Sequence, residues 1–353
     1  MGLVASRVQT RAFGMQRVVD VRGVTVLWHP RAVFACLVLG AVIVGCALLL
    51  LTQGSMKLSV TEVGQALAHP GANSRDRLVV WGIRLPMIVT GLATGMALGA
   101  AGMLFQTLSR NALGSPEIIG LVSGAAFGAV VGITLLQTTG WRTSLAAVAG
   151  CALAAGLAYA LAPRGSGFIN RLVLIGLGLS ACYGAATTLL LTRINPDIAI
   201  AGQVWLVGTL NARQWTHAVP AVAAAVVCLP VAWVLVRHLR VMELGDALCA
   251  GLGVRIPRVT AAVTVVGVVL TGAAIASTGP ISFISLAAPQ IARRLTGQQV
   301  VPVTTAALTG AVLLLVPQCI VHLAPAGYQA PVGVATSVVG GLYLIFFILR
   351  SKR

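Results

Sequence analysis

Residues Val33 to Leu51 read VFACLVLGAVIVGCALLLL, nineteen positions without a single charge. A helix of about 20 apolar residues crosses the roughly 30 Å hydrocarbon layer of a bilayer, so this stretch predicts a membrane span. Outward from it, comparable runs recur at about 85–106, 117–136, 143–162, 172–192, 215–236, 259–278, 281–292, 301–322 and 331–349. The eighth is short and follows Gly279 and Pro280. The reading is an all-α polytopic membrane protein of about ten transmembrane helices. No gap between runs is long enough for an independent domain. The expected organisation is a basic cytoplasmic segment over residues 1–31 and one transmembrane domain over 32–353.

Composition agrees. Of 353 residues, 58% are hydrophobic and 9% charged, and the mean hydropathy is +0.96. Soluble domains carry about 25% charged residues, so a soluble fold is excluded. The net charge of +17 would suggest nucleic acid on a soluble protein, but here the cations sit between apolar runs. They act as topology signals, and no nucleic-acid partner is expected. With the N-terminus inside, 17 of the 24 lysines and arginines fall on the cytoplasmic side and 7 outside. The positive-inside rule therefore gives N-in and C-in. Val33–Leu51 exceeds an ordinary signal-peptide core and no A-x-A site follows it, so it is kept as the first span.

Arg84-Leu85-Pro86 opens the second run and Arg255-Ile256-Pro257 the seventh, each before a Gly/Ala-rich helix. Five spans apart, the two enter from opposite sides, the pattern of an inverted repeat. Gly91, Gly95 and Gly99, and Gly120, Gly124, Gly128 and Gly132, recur every fourth residue. Such a stripe is either a static packing face or a sliding, pore-lining one.

Lys57 and Lys352, the only two lysines, follow no G-x-x-x-x-G-K-[ST] phosphate loop, so the chain carries no ATP site of that kind. The acids Asp20, Glu62, Asp76, Glu117, Asp197, Glu243 and Asp246 all map outside the mid-membrane, whereas ion-coupled carriers need intramembrane titratable groups. The driving force is expected from another subunit. The five histidines and seven cysteines show no metal-ligand or disulfide spacing. No catalytic set, metal or cofactor is expected. Arg110, Arg293 and Arg294 read as cytoplasmic anchors.

The connector at 239–255 is unlike the others. Leu244, Leu248 and Leu252 are four apart, Asp246 is a helix starter, and Gly251 and Gly253 are helix enders. This predicts a short amphipathic helix on the cytoplasmic surface, resting on the membrane or docking a partner.

Seven separated stretches resemble one family. They are Arg84-Leu85-Pro86; Gly102 to Pro116 with Gln106, Arg110, Asn111 and Leu113; Gly120 to Ala126; the loop with Leu244-Gly245-Asp246 and Leu252-Gly253-Val254; and Gly279 to Phe283, Pro289 to Arg294 and Pro331-Val332-Gly333. In order, they resemble the motif series of the FecCD-type permeases, over about residues 45 to 350. Departures are Ala112 for proline, Gln290 for histidine, Pro317-Gln318 where an acid is common, and Ala330 for leucine. The resemblance implies an inverted-repeat type II permease of an ATP-binding-cassette importer for a ferric siderophore, with vitamin B12 or haem as alternative cargo. An ion-coupled secondary carrier is the competing class. Implied partners are a cytoplasmic ATPase dimer, a homologous second permease chain, and an extracytoplasmic binding protein that delivers the chelate. Within the coupling loop the expected ATPase contacts are Glu243, Leu244, Gly245, Asp246, Leu248, Leu252 and Gly253. The external cations expected to meet the binding protein are Arg75, Arg77 and Arg84, with Arg75 and Arg77 preferred.

Overall fold

A computed structural model of the chain describes residues 11–13, 16–21, 24–54, 56–68, 75–163, 168–243, 245–298, 300–324 and 330–351. Ahead of the membrane body, β1 (Arg11–Phe13), β2 (Gln16–Val21) and β3 (Val24–Trp28) form an antiparallel meander. Val18 is opposite Leu27 and Val19 opposite Val26. The sequence reading, all-helical, did not foresee it. Its source is the run of β-branched residues at 18–26, which favours pleated backbone.

The other described elements are helices. Pro30 opens α1 (Pro30–Thr52), where a missing N–H costs nothing. Next come α2 (Val60–Ala68) and α3 (Arg75–Val79), the latter continuing through one π-helical turn at Val80–Arg84 into α4 (Leu85–Ser109). There follow α5 (Leu121–Thr134), α6 (Trp141–Leu161), α7 (Phe168–Arg193) and α8 (Pro196–Val207). After α9 (Trp215–Met242) and the one-and-a-half-turn α10 (Asp246–Gly251) come α11 (Ile256–Thr278), α12 (Ile284–Thr296), α13 (Val303–Leu323) and α14 (Val332–Ser351). Each apolar run predicted from sequence lies on a helix. Seven described helices are long and apolar enough to cross a membrane: α1, the continuous α3–α4 rod, α6, α7, α9, α11 and α13. The apolar helices α5, α8 and α14 are shorter. The predicted eighth run is the 13-residue α12, which ends in Arg293 and Arg294.

The centre of the bundle is α4, buried from Pro86 to Leu108 on nearly every side. It packs on α13, α11, α9 and α12, while α5 packs on α6 and α7. Contacts of α4 with α13 and of α11 with α6 pair the two sequence halves reciprocally, as repeated units would. Small residues make this possible. A Cβ on Gly99 would fall on the Ala306 carbonyl, and one on Gly310 would fall on the Gly95 carbonyl. Gly128 and Gly150 join α5 to α6 in the same way. The glycine stripes are therefore packing faces where backbones touch.

Three interruptions of helix meet inside the bundle. Thr209 N–H donates to the Thr278 carbonyl (2.8 Å), and Gly333 N–H donates to the Gly208 carbonyl (3.1 Å). Gly208 and Gly279 hold φ of 72° and 80°, and each lies against the other's segment. Next to them Leu210 packs on Gly91, well inside α4. Irregular backbone at such depth survives only where protein surrounds it and its polar groups are paired.

Candidate coupling and docking sites

The predicted coupling segment begins where α9 ends. Basic Arg240 lies in the last turn of α9, complementing the helix dipole. Gly245 takes φ 102°, a conformation that suits glycine, and turns the chain into α10. Cys249 is fully buried and its Sγ donates to the Val241 carbonyl (3.1 Å), and Val254 N–H donates to the Cys249 carbonyl (3.0 Å). Gly253, at φ 75°, turns the chain toward α11. One cysteine thus pins α10 inward and leaves Leu248 and Leu252 outward, 59% and 64% exposed. Glu243 and Gly253 are exposed and Gly245 half-buried, while Leu244 lies outside the described residues. The four-residue spacing predicted one apolar face. The structure shows that its described members point away from the bundle.

Beside this segment is a polar cluster that the sequence did not disclose. Arg110, the left-handed C-cap of α4 (φ 50°), sends its guanidinium to the Met242 carbonyl. Gln290 Nε2 donates to Gln106 Oε1 (2.6 Å) and to the Ala112 carbonyl (3.0 Å), and Gln106 Nε2 donates to the Leu286 carbonyl (3.0 Å). Glu117 Oε1 accepts from Phe283 N–H (3.1 Å) and Ser285 Oγ (3.2 Å). Glu117, the first residue of the predicted run 117–136, lies ahead of α5 and is paired within the protein. Its carboxylate reaches into the bundle and caps α12. Arg110 is likewise more than a membrane anchor.

The opposite end of the bundle holds the predicted external cations. Arg84 is 3% exposed, and its guanidinium donates to the carbonyls of Leu51 and Met56. A helix leaves its last carbonyls without intrahelical partners, and Arg84 supplies one for α1. This burial removes Arg84 from the docking set. Arg213 is tied down similarly, donating to the Thr209 (3.0 Å) and Thr278 (3.2 Å) carbonyls. Arg75 is exposed and Arg77 half-buried, two residues apart on α3. Two tryptophans hold that platform: Trp81 Nε1 donates to the Ala66 carbonyl (3.0 Å) and Trp215 Nε1 to the Trp81 carbonyl (2.9 Å). Indoles with one apolar and one polar edge belong at a membrane–water boundary.

Next to it, α2 begins with a capping box. Ser59 N–H donates to Glu62 Oε2 (2.7 Å), and Glu62 N–H donates to Ser59 Oγ (3.2 Å). The Ser59 backbone N–H, and after it the Ser59 hydroxyl, hold the Glu62 carboxyl below the usual carboxylate range. A depressed folded-state pKa stabilises above the unfolded value, so this cap is lost as pH falls through the lowered Glu62 pKa. Among the described residues, no three His, Cys, Asp or Glu side chains converge on a possible metal site.

Residues 41–350 match the FecCD transport family. The chain is 37% identical over 324 residues to the ferric enterobactin transport system permease protein FepG of Escherichia coli, covering 92% of this chain and 98% of that protein. It is 33% identical to the Fe(3+) dicitrate transport system permease protein FecD of Escherichia coli (87% and 96% covered). It is 30% identical to the iron(3+)-hydroxamate import system permease protein FhuG of Bacillus subtilis (86% and 92% covered). Its fold is similar to a solved structure of a metal-chelate type ABC transporter in an inward-facing conformation. The TM-score is 0.78 at 23% identity, covering 91% of this chain and all of that one.

Proposed function

Because the chain belongs to the FecCD transport family and is a membrane permease subunit of an ATP-binding-cassette importer, not an enzyme, we propose that its cargo is a ferric siderophore. The relatives named above carry ferric enterobactin, ferric dicitrate and iron-hydroxamate in their names, and all three are iron(III) chelates. The protein sits in the cytoplasmic membrane, with both termini inside in the proposed orientation. A separate ATPase dimer docks on residues 241–254, where Leu248 and Leu252 wait uncovered. That pair of outward leucines, on a chain with no phosphate loop, is the observation that carries the reading. ATP binding draws the ATPases together, and the pull on α10 switches the pathway between outward and inward access. A homologous but distinct permease covers part of the apolar surface that α7 and α14 expose, including Leu174, Leu189, Leu342 and Ile345.

Deleting this chain and following labelled iron into cells tests the cargo. Uptake of one class of ferric chelate is expected to fall to background, while vitamin B12 and haem still enter. Loss of vitamin B12 or haem entry alone would overturn the siderophore assignment. Collapsing the membrane potential with ATP preserved should leave uptake intact, and its abolition would favour the ion-coupled carrier.

On the outer face, the binding protein is proposed to bring acidic side chains to Arg75 and Arg77. Exposed ion pairs stabilise by only about 0–1 kcal/mol each, yet charge steers encounter. Reversing both to Glu should slow association of the loaded binding protein by about tenfold at low salt, with the gap closing as salt rises. Assembly with the ATPase should be unchanged. Identical association rates and salt slopes for wild type and variant would eliminate this pair.

A further inference from the structure

We propose that the loop joining α4 to α5, residues 110–120, is a strap through which the root of the coupling segment is mechanically linked to α12, and through α12 to α14. The inference rests on the coupling surface proposed above and assigns roles to Arg110 and Glu117 as positioning residues.

The strap touches two elements that are remote from one another in sequence, the end of α9 and, at two places, α12. At its start, Arg110 holds the carbonyl of Met242, the last helical residue before the coupling turn. In its middle, the Ala112 carbonyl accepts from Gln290, halfway along α12, and the same amide is bound to Gln106 on α4. Toward its end, the Glu117 carboxylate receives Phe283 N–H and Ser285 Oγ at the N-terminus of α12. Helix N-termini present unpaired N–H groups and a partial positive charge, so a carboxylate is the strongest side-chain partner for that end. Movement at Met242 therefore cannot leave α12 behind unless one of these contacts breaks.

What the strap holds is an unusual turn. Phe283 adopts φ 69° without being glycine, a conformation that surrounding contacts must impose on an aromatic residue. Its side chain lies against Gly340 of α14, on the spot a larger residue at 340 would fill. The same turn meets the Gly208 and Gly333 breaks through Gly279 and Pro280. Phe283 thus links three pieces of non-helical backbone inside the bundle to the strap through one hydrogen bond. Shifting the α12 N-terminus shifts what α14 packs on.

Two measurements test this, and the first needs no ATPase. In the purified chain in nanodiscs, Arg110→Ala should speed hydrogen exchange at amides 283–287 by about tenfold, although Arg110 touches none of them. Glu117→Ala should do the same, and Glu117→Asp should recover most of the protection. Unchanged exchange in Arg110→Ala would overturn the strap whether or not residues 241–254 dock an ATPase.

In the second, the transporter is reconstituted with its ATPase, second permease and binding protein, and uptake is compared with ATP hydrolysis. Each single alanine variant should lower uptake per ATP by about tenfold with the ATPase still bound. The double variant should be no worse than either single one, since a strap cut twice is still one cut strap. Losses that multiply, or uptake per ATP equal to wild type, would overturn it. If Glu117→Ala fails to insert, Glu117→Gln, which keeps an acceptor but not the charge, is read by the same two outcomes. An ATPase that never binds the wild-type chain would count against the docking surface, and the exchange measurement still decides the strap.

Discussion

Leu248→Arg abolishes co-purification of the ATPase, while the permease still inserts and purifies in normal yield. The permease alone tolerates the change because Leu248 is mostly exposed there, and surface substitutions usually shift stability by no more than about 0.5 kcal/mol. In a closed apolar interface the same guanidinium would be stripped of water without a partner, costing several kcal/mol. Each 1.4 kcal/mol is a tenfold loss of affinity, so capture falls below detection. The neighbouring Cys249 is the control. Its burial and its bond to Val241 make Cys249→Arg a folding defect, visible as lower yield of the permease itself. Full ATPase capture by Leu248→Arg would move the docking surface away from α10.

Gly99→Leu is expected to remove most of the folded protein from the membrane. At this position even a Cβ would land on the Ala306 carbonyl, and what must yield is backbone on two long helices. Overpacking of a tight core costs about 1–3 kcal/mol and occasionally more; two abutting backbones place Gly99 at the upper end. The comparison variant is Gly156→Leu on α6, where a Cβ meets nothing within 4 Å. Thermal melting followed by size-exclusion chromatography should separate the two clearly. Equal midpoints would mean that α4 and α13 are not in the contact described.

The helices were legible because the bilayer sets their length and removes their charges, two signals that require no tertiary knowledge. The short α8 was not, since 12 residues between Pro196 and Gly208 look like a connector when only full-length runs are sought. At Arg84, a cation at the start of an apolar run reads the same whether it faces headgroups, a partner protein or the carbonyls of another helix. Only the fold brings Leu51, 33 residues earlier, to its guanidinium. Glu117 is harder still, because its partners are 166 and 168 residues away. The leucine spacing in the coupling segment was readable as a face. Its direction was set by Cys249, which nothing in the local pattern marked as the anchor.

The bond from Arg84 to the end of α1 also bears on biosynthesis. As the chain leaves the ribosome, α1 emerges complete before its partner arginine has been made. It is uncharged along most of its length and little buried in the finished bundle, so it can enter the bilayer unaided, with water serving its last carbonyls at the boundary. The rod containing α4 is the reverse, an interior helix with almost no surface left for lipid. It must be met by later neighbours to be fully housed. Arg84 joins these two, and a nascent chain halted once α4 has cleared the ribosome should already hold them as a pair.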